Sequence, residues 1–281
     1  MTDNNRFVST DWLAAHLGDP GLAIVDGSWH MPASGRKARE EYRAAHIPGA
    51  VFFDVDAVSD ASSGLPHMLP GEAQFAQAAG ALGLTNDSTI VVYDSAGLFS
   101  AARVWWTLRA FGAKNVFVLD GGLPKWLAEG RPTEAGDAGP APASFAARLD
   151  RSLVAGMADV AAASIDGTAQ VLDARSAERF SGEAPDPRPG VRPGHIPGAR
   201  NLPFNAVVKD GRLADPATIR AAVEAAGIDT ARPVITSCGS GVTAAILWLA
   251  LDAIGTPPAA LYDGSWSEWG ASDQPAAIGP A

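Results

Sequence analysis

The sequence is an internal duplication. The pentapeptide His-Ile-Pro-Gly-Ala occurs at residues 46–50 and again at residues 195–199. An apolar pair followed by aspartate occurs at 24–26 and 171–173, and an Asp-Gly pair after an apolar run occurs at 120–121 and 263–264. These signatures recur in the same order, and their period is far too long for a solenoid of short repeats. The chain is therefore predicted to form two similar domains.

A change in composition marks the boundary between the two copies. Residues 130–147 are rich in proline, glycine and alanine with scattered charges, which is typical of a linker. We predict an N-terminal domain over residues 1–135, a linker over 136–152 and a C-terminal domain over 153–281.

Short apolar runs alternate with helical patterns in each copy. The predicted strands of the first copy are Leu22–Asp26, Ala50–Phe53, Thr89–Tyr93 and Val116–Leu119, with helices over Gly71–Leu82 and Ser100–Phe111. Those of the second copy are Gln170–Leu172, Ala199–Leu202, Val234–Ser237 and Ala260–Tyr262, with helices near Pro216–Ala226 and Val242–Ile254. Apolar strands separated by helices indicate an α/β fold in which each domain is an open parallel sheet flanked by helices.

The only cysteine, Cys238, lies between a predicted strand and a predicted helix of the second copy. The loop that follows contains two glycines, and the next helix begins directly after it. Loop N–H groups and a helix N-terminus stabilise negative charge, so this setting favours a reactive thiolate. The alternative is a small buried apolar residue. The matching loop of the first copy, Tyr93-Asp94-Ser95, has no thiol, so only the second copy can be a cysteine site.

The composition limits the classes of partner that the chain is expected to bind. The chain has 31 acidic and 21 basic residues, a net charge of -10, which argues against binding to nucleic acid or an anionic membrane. A single cysteine cannot form an internal disulfide. No export signal, membrane-spanning run, metal-ligand spacing or nucleotide loop is recognisable. We therefore expect a cytoplasmic protein that needs no cofactor and no metal.

The segment Cys-Gly-Ser-Gly-Val-Thr-Ala at 238–244, together with the two His-Ile-Pro-Gly-Ala motifs, resembles the rhodanese superfamily of sulfurtransferases. The resemblance runs from Phe7 to about Gly270 and is greatest to the subgroup that uses 3-mercaptopyruvate as donor. It implies that Cys238 carries sulfur as a persulfide, releases pyruvate and passes the sulfur to a small thiol, a thioredoxin-like protein or cyanide. It also implies that Arg179 and Arg188 bind the carboxylate and keto group of the donor. The residues of the implied anion-binding loop are Gly239, Gly241, Val242 and Thr243.

Proton transfer requires a further group. Ser240 follows the nucleophile by two residues and could donate to the developing enolate. The resemblance implies a relay across the domain interface, in which His67 tunes Ser240 and Asp56 orients His67. The alternative is that His67 is an ordinary interface histidine. His46 and His195 precede Ile-Pro-Gly in both copies and are expected to be structural.

Three other functions are compatible with a cysteine in such a loop. A thiosulfate sulfurtransferase would favour basic residues after the cysteine, whereas Gly239 and Ser240 are neutral. A sulfur-carrier module would take persulfide from a partner and would not need Arg179 or Arg188. A phosphatase of this fold needs an arginine at the end of the loop. Residue 244 at that position is alanine, which argues against a phosphatase.

Overall fold

The computed structural model describes residues 6–256 and 258–280. The residues at which an export signal would begin, 1–5, lie outside the described residues. The chain divides into two compact units. The first comprises residues 1–60, 69–150 and 210–212, and the second comprises residues 61–68, 151–209 and 213–281. The domain limits given above stay a prediction.

The first unit is built on a parallel sheet. Within its described residues the sheet has five strands in the order β1-β5-β4-β2-β3. The strands are β1 (Phe7–Val8), β2 (Leu22–Asp26), β3 (Ala50–Phe52), β4 (Thr89–Tyr93) and β5 (Asn115–Leu119). The register places Ile24 of β2 beside Ala50 on one side and Val91 on the other. All three side chains are buried, as expected for strands that are covered on both faces.

Helices cover that sheet. They are α1 (Thr10–Ala15), α2 (Ala38–Ala44), α3 (Glu72–Ala81), α4 (Ala101–Ala110) and α5 (Gly122–Ala128). The core on one face is formed by Leu13, Tyr42 and Trp126 packed against β2 and β4. Nearly every residue of α4 is buried, including Trp105 and Trp106. The two tryptophans thus belong to the interior of the protein.

The second unit repeats this topology. Among its described residues five strands follow the order β6-β12-β11-β7-β8, all parallel. They are β6 (Val154–Ala155), β7 (Gln170–Asp173), β8 (Arg200–Asn201), β11 (Val234–Ser237) and β12 (Ala260–Tyr262), with a separate hairpin formed by β9 (Val208–Lys209) and β10 (Arg212–Leu213). The helices are α6 (Met157–Asp166), α7 (Ala177–Ser181), α8 (Pro216–Ala225), α9 (Ala244–Ala253) and α10 (Ser265–Trp269).

The matching strand orders confirm the predicted fold, two parallel α/β sheets flanked by helices. The first sheet strand of each copy, β1 or β6, is only two residues long, and so short an apolar run does not predict a strand. Among the described residues, no helix is both long and apolar enough to cross a membrane.

Candidate active site

Cys238 lies directly after β11, at the carboxyl end of the central strand of the second sheet. Ligands bind at this edge in open parallel sheets. The residue is only 2% exposed. Its carbonyl accepts a hydrogen bond from the backbone N–H of Trp266 at 3.0 Å, which fixes the start of the loop against α10. The fold therefore holds this thiol at a defined position at the base of its loop.

The loop after Cys238 turns sharply and leaves several of its amide groups without a hydrogen-bond partner among the described residues. Gly241 has a φ of 77°, a left-handed conformation that favours glycine. Thr243 precedes α9 without capping it through its side chain. In the described part of the chain, four loop amides have no hydrogen-bond partner, those of Gly239, Ser240, Val242 and Thr243. Unsatisfied N–H groups at a helix N-terminus are the donors that bind anions in proteins.

Two arginines lie over Gly239, the residue that follows Cys238. A Cβ atom at Gly239 would lie 3.2 Å from Nη2 of Arg179 and 3.2 Å from Nη1 of Arg188. The carboxylate of Asp186 holds both guanidinium groups, at 2.6 Å from Nη2 of Arg179 and 3.6 Å from Nη1 of Arg188. Two buried donors remain without a hydrogen-bond partner among the described residues, Nε of Arg179 and Nη1 of Arg188. The site thus presents cationic N–H groups without a hydrogen-bond acceptor beside Gly239, the residue that follows Cys238.

Ser240 connects the arginine pair to His67. Its Oγ accepts a hydrogen bond from Nη2 of Arg188 at 2.9 Å and lies 3.0 Å from Nδ1 of His67. His67 is 5% exposed and has a left-handed φ of 62°. Because the arginine can only donate, the serine hydroxyl proton is available to His67 or to a bound substrate.

Asp56, the third member of the predicted relay, belongs to the first unit. Its Oδ2 accepts a hydrogen bond from Nε1 of Trp29 at 3.1 Å. That Asp56 orients His67 therefore remains a prediction. His67 itself, although it was expected from the first domain, groups with the second unit.

Comparison with known proteins places this geometry in a family. Residues 9–129 and 157–272 both match the rhodanese-like domain family. The chain belongs to the rhodanese family. It is 46% identical over 266 residues to 3-mercaptopyruvate sulfurtransferase of Escherichia coli (94% of this chain, 95% of that protein). It is 43% identical over 269 residues to the human protein of the same name (93% and 91%). The crystal structure of SseA from Escherichia coli, described as a 3-mercaptopyruvate sulfotransferase, superimposes with a TM-score of 0.87 and 43% identity and covers 93% of this chain and 99% of that one.

The first rhodanese-like domain shows what its loop binds when the thiol is absent. Asp94 follows β4 as Cys238 follows β11. The carbonyl of Asp94 accepts a hydrogen bond from the backbone N–H of Leu123, just as the carbonyl of Cys238 accepts one from Trp266. The Asp94 carboxylate accepts hydrogen bonds from the backbone N–H groups of Ala96, Phe99 and Ala101 at 2.7–2.9 Å. The loop of the first rhodanese-like domain therefore binds the carboxylate of its own Asp94. This is independent support for an anion-binding loop at the equivalent place in the second domain.

Three residues around Cys238 are not predicted by the sequence. Asp186 holds the arginines, and the oxygens of Ser265 and Ser267 contact the loop. One signal was available for Asp186. An aspartate two residues before Arg188 can accept that residue's N–H, as its Oδ1 does at 3.0 Å. No comparable signal exists for the two serines, because they contact the loop only through the tertiary fold.

Proposed function

We propose that this protein is a 3-mercaptopyruvate sulfurtransferase. It moves the sulfur of 3-mercaptopyruvate through a persulfide on Cys238 to a thiol or cyanide acceptor and releases pyruvate. The observation that carries the proposal is the pair of guanidinium groups, Arg179 and Arg188, over Gly239. Family membership accounts for sulfur transfer at the cysteine, and the arginine pair accounts for the kind of donor.

The arginine pair suits a 2-oxo acid. A planar carboxylate pairs well with guanidinium N–H groups, and the adjacent keto oxygen can accept a further hydrogen bond. Nε of Arg179 and Nη1 of Arg188 are the donors available for those oxygens. Their burial matters, because an unpaired buried donor gains a full hydrogen bond when the substrate arrives.

The charge of the site favours a monoanionic donor over a dianionic one. Arg179 and Arg188 contribute two positive charges, and Asp186, whose side chain is 2% exposed, contributes one negative charge. The net single positive charge is neutralised by the one carboxylate of 3-mercaptopyruvate. Thiosulfate would bring a second negative charge next to the Cys238 thiolate. A basic side chain in place of Gly239, which could offset that charge, would place its Cβ 3.2 Å from both guanidinium groups, so that the arginines would have to shift.

The chemistry follows from the placement of the sulfur. The Cys238 thiolate attacks the sulfur of 3-mercaptopyruvate, an S–S bond forms and the C–S bond breaks. The electron pair of the broken bond becomes the enolate of pyruvate, while the outer sulfur remains on the enzyme as the persulfide. The free loop amides at 239, 240, 242 and 243 stabilise the negative charge on sulfur. Covalent catalysis of this kind gives double-displacement kinetics.

Ser240 supplies the proton that the enolate needs. Arg188 donates to its Oγ, which leaves the hydroxyl proton free to move, and His67 lies within hydrogen-bond reach to replace it. The acceptor in the second half-reaction is a small thiol, a reduced thioredoxin-like protein or cyanide. Because a lone catalytic thiol must stay reduced to turn over, we place the protein in the cytoplasm.

Steady-state turnover tests the proposal. The purified protein is incubated with 3-mercaptopyruvate and a thiol, and pyruvate and sulfide are measured together. We expect both products in equal amounts, double-displacement kinetics, and no turnover by Cys238→Ser. A higher kcat/KM for thiosulfate with cyanide, or turnover that survives Cys238→Ser, would overturn the proposal. Persulfide transfer that is unaffected by Arg179→Ala and Arg188→Ala would instead identify a sulfur carrier.

A further inference from the structure

Ser265, the first residue of α10, has an unusual backbone conformation. Its φ is 50°, in the left-handed region that residues with a side chain rarely adopt. It is also completely buried. Left-handed non-glycine residues persist only where the surrounding structure holds them, and they are concentrated at functional sites. The conformation therefore calls for a compensating interaction of the side chain.

The hydroxyl of Ser265 provides that interaction at the nucleophile loop. Its Oγ accepts hydrogen bonds from the backbone N–H groups of Cys238 and Gly241, both at 3.1 Å. It donates its own proton to the carbonyl of Tyr262 at 2.8 Å. One donor and two acceptor sites exhaust the capacity of a hydroxyl group. Ser265 thus joins both ends of the Cys238–Gly241 turn to the end of β12.

The first domain carries a glycine at the equivalent position. Gly122 follows Asp120-Gly121 as Ser265 follows Asp263-Gly264, and its φ of 54° is nearly the same. A Cβ atom at Gly122 would lie 2.7 Å from the carbonyl oxygens of both Asp94 and Gly97. The loop that lacks a nucleophile therefore lies against a bare glycine. The loop that carries Cys238 is instead held by a serine hydroxyl at a backbone position where glycine would be less strained.

We propose that Ser265 is a positioning residue that keeps the Cys238–Gly241 turn open, so that the remaining loop amides can surround the sulfur. This inference rests on the proposed function for its role in turnover. Without the hydroxyl, the buried N–H groups of Cys238 and Gly241 lose the acceptor that Ser265 provides, and the turn is no longer held at both ends. The amides of residues 239, 240, 242 and 243 then lose their alignment toward the sulfur.

Two variants separate positioning from packing. Ser265→Gly removes the hydroxyl and relieves the backbone strain, whereas Ser265→Ala removes the hydroxyl and keeps the strain. The matched control is Ser267→Ala. Ser267 is a buried serine of the same helix whose hydroxyl donates to the carbonyl of Gly239, and that carbonyl retains the backbone N–H of Ser267.

The primary measurement is the rate of Cys238 alkylation by iodoacetamide as a function of pH, which needs no sulfur donor. We expect both Ser265 variants to shift the profile to higher pH by the same amount, and Ser267→Ala to shift it much less. Because the reacting groups are misplaced, kcat with 3-mercaptopyruvate should fall by about 10- to 100-fold in both. A merely structural serine would change the urea midpoint and leave the alkylation profile unchanged.

A wild-type alkylation profile in Ser265→Gly would overturn the inference, and so would a shift that only Ser265→Ala shows. If Ser265→Ala fails to fold, Ser265→Gly decides, because glycine adopts this conformation without strain. If the wild-type protein does not turn over 3-mercaptopyruvate, the proposed function fails, while the alkylation profiles still decide the role of Ser265.

Discussion

Gly239 shapes the donor site by having no side chain. The guanidinium groups of Arg179 and Arg188 occupy the space that a side chain would fill, each within 3.2 Å of a Cβ position. The sequence shows that residue 239 is neutral and that two arginines fit a family pattern. It could not show that these arginines lie over Gly239, because the segment 179–188 and the cysteine loop are far apart in the chain.

Substitution of Arg188 tests the donor site. Arg188→Gln removes a cation that we expect to bind the substrate carboxylate, a hydrogen bond to a charged group worth about 1.5–3 kcal/mol, so kcat/KM for 3-mercaptopyruvate should fall by about 10- to 100-fold. Arg200→Gln, at the exposed start of β8, is the matched control and should leave kcat/KM unchanged. An equal effect of both substitutions would contradict the assignment.

Substitution of Ser240 separates proton transfer from binding. Ser240→Ala removes the hydroxyl between Arg188 and His67. General acid catalysis contributes about 10²- to 10⁴-fold, so kcat should fall within that range while KM changes little. His67→Gln removes the ring proposed to return the proton to Ser240, so its kcat should also fall. A higher KM with an unchanged kcat in Ser240→Ala would show that the serine only binds the donor.

The strand–loop–helix element occurs twice in this chain, with a different residue directly after the strand in each copy. In the first copy the Asp94 carboxylate is bound by three amides of its own loop, and in the second the corresponding position is Cys238. The sequence predicts both elements from their apolar strands and the helices that follow. It does not predict that Asp94 folds back into its loop, because an aspartate after a strand could equally face solvent.

The Asp94 contacts make a prediction about stability. Asp94→Asn removes the charge that three backbone N–H groups stabilise, so the free energy of unfolding should fall by about 1.5–3 kcal/mol. Asp87→Asn, which breaks an exposed pair with Lys114, should cost less than about 1 kcal/mol. Urea denaturation measures both variants. Equal stability of the two would mean that the loop amides do not bind the carboxylate tightly.

The two His-Ile-Pro-Gly-Ala motifs place their histidines in the same way. Nδ1 of His46 lies 2.8 Å from the carbonyl of Tyr42, and Nδ1 of His195 lies 2.9 Å from the carbonyl of Phe180. Each ring also stacks on the residue whose carbonyl it contacts. These contacts anchor the turn before a sheet strand in both units. They agree with the expectation that both histidines are structural.

Burial lowers the pKa of His195 below its ordinary value, with a smaller opposing effect from the Phe180 carbonyl. Below the ordinary histidine pKa of about 6.5, the unfolded chain therefore binds more protons than the folded one, and stability falls as the pH falls. His195→Asn keeps an N–H donor but cannot titrate. We expect its free energy of unfolding to be lower at neutral pH and to depend less on pH between about 7.5 and 5.5. Parallel pH dependences for the two proteins would contradict this.

The internal duplication predicts more of the overall architecture than any other feature of the sequence. It predicted two similar α/β domains, and the two sheets share one strand order. Periodicity located the central strands and the helices α3, α4, α8 and α9 to within a few residues, but it missed α6, which is equally long. It missed short elements such as β1, β6 and α10, where two to five residues carry no periodic signal. It also could not predict that residues 61–68, which include His67, group with the second unit, because that depends on tertiary contacts.

The duplication also predicts the stoichiometry of sulfur loading. Only one of the two loops carries a thiol, and the other is filled by its own aspartate. Each chain should therefore hold a single transferable sulfur on Cys238.

Loading the protein with 3-mercaptopyruvate in the absence of an acceptor tests whether Cys238 carries the transferred sulfur. Intact-protein and peptide mass spectrometry follow the enzyme, and pyruvate is measured in the same sample. We predict one added sulfur atom per chain, located on Cys238, with one equivalent of pyruvate released, and sulfur loss when a thiol is added. Pyruvate release without sulfur on Cys238, or loading by thiosulfate but not by 3-mercaptopyruvate, would contradict the account.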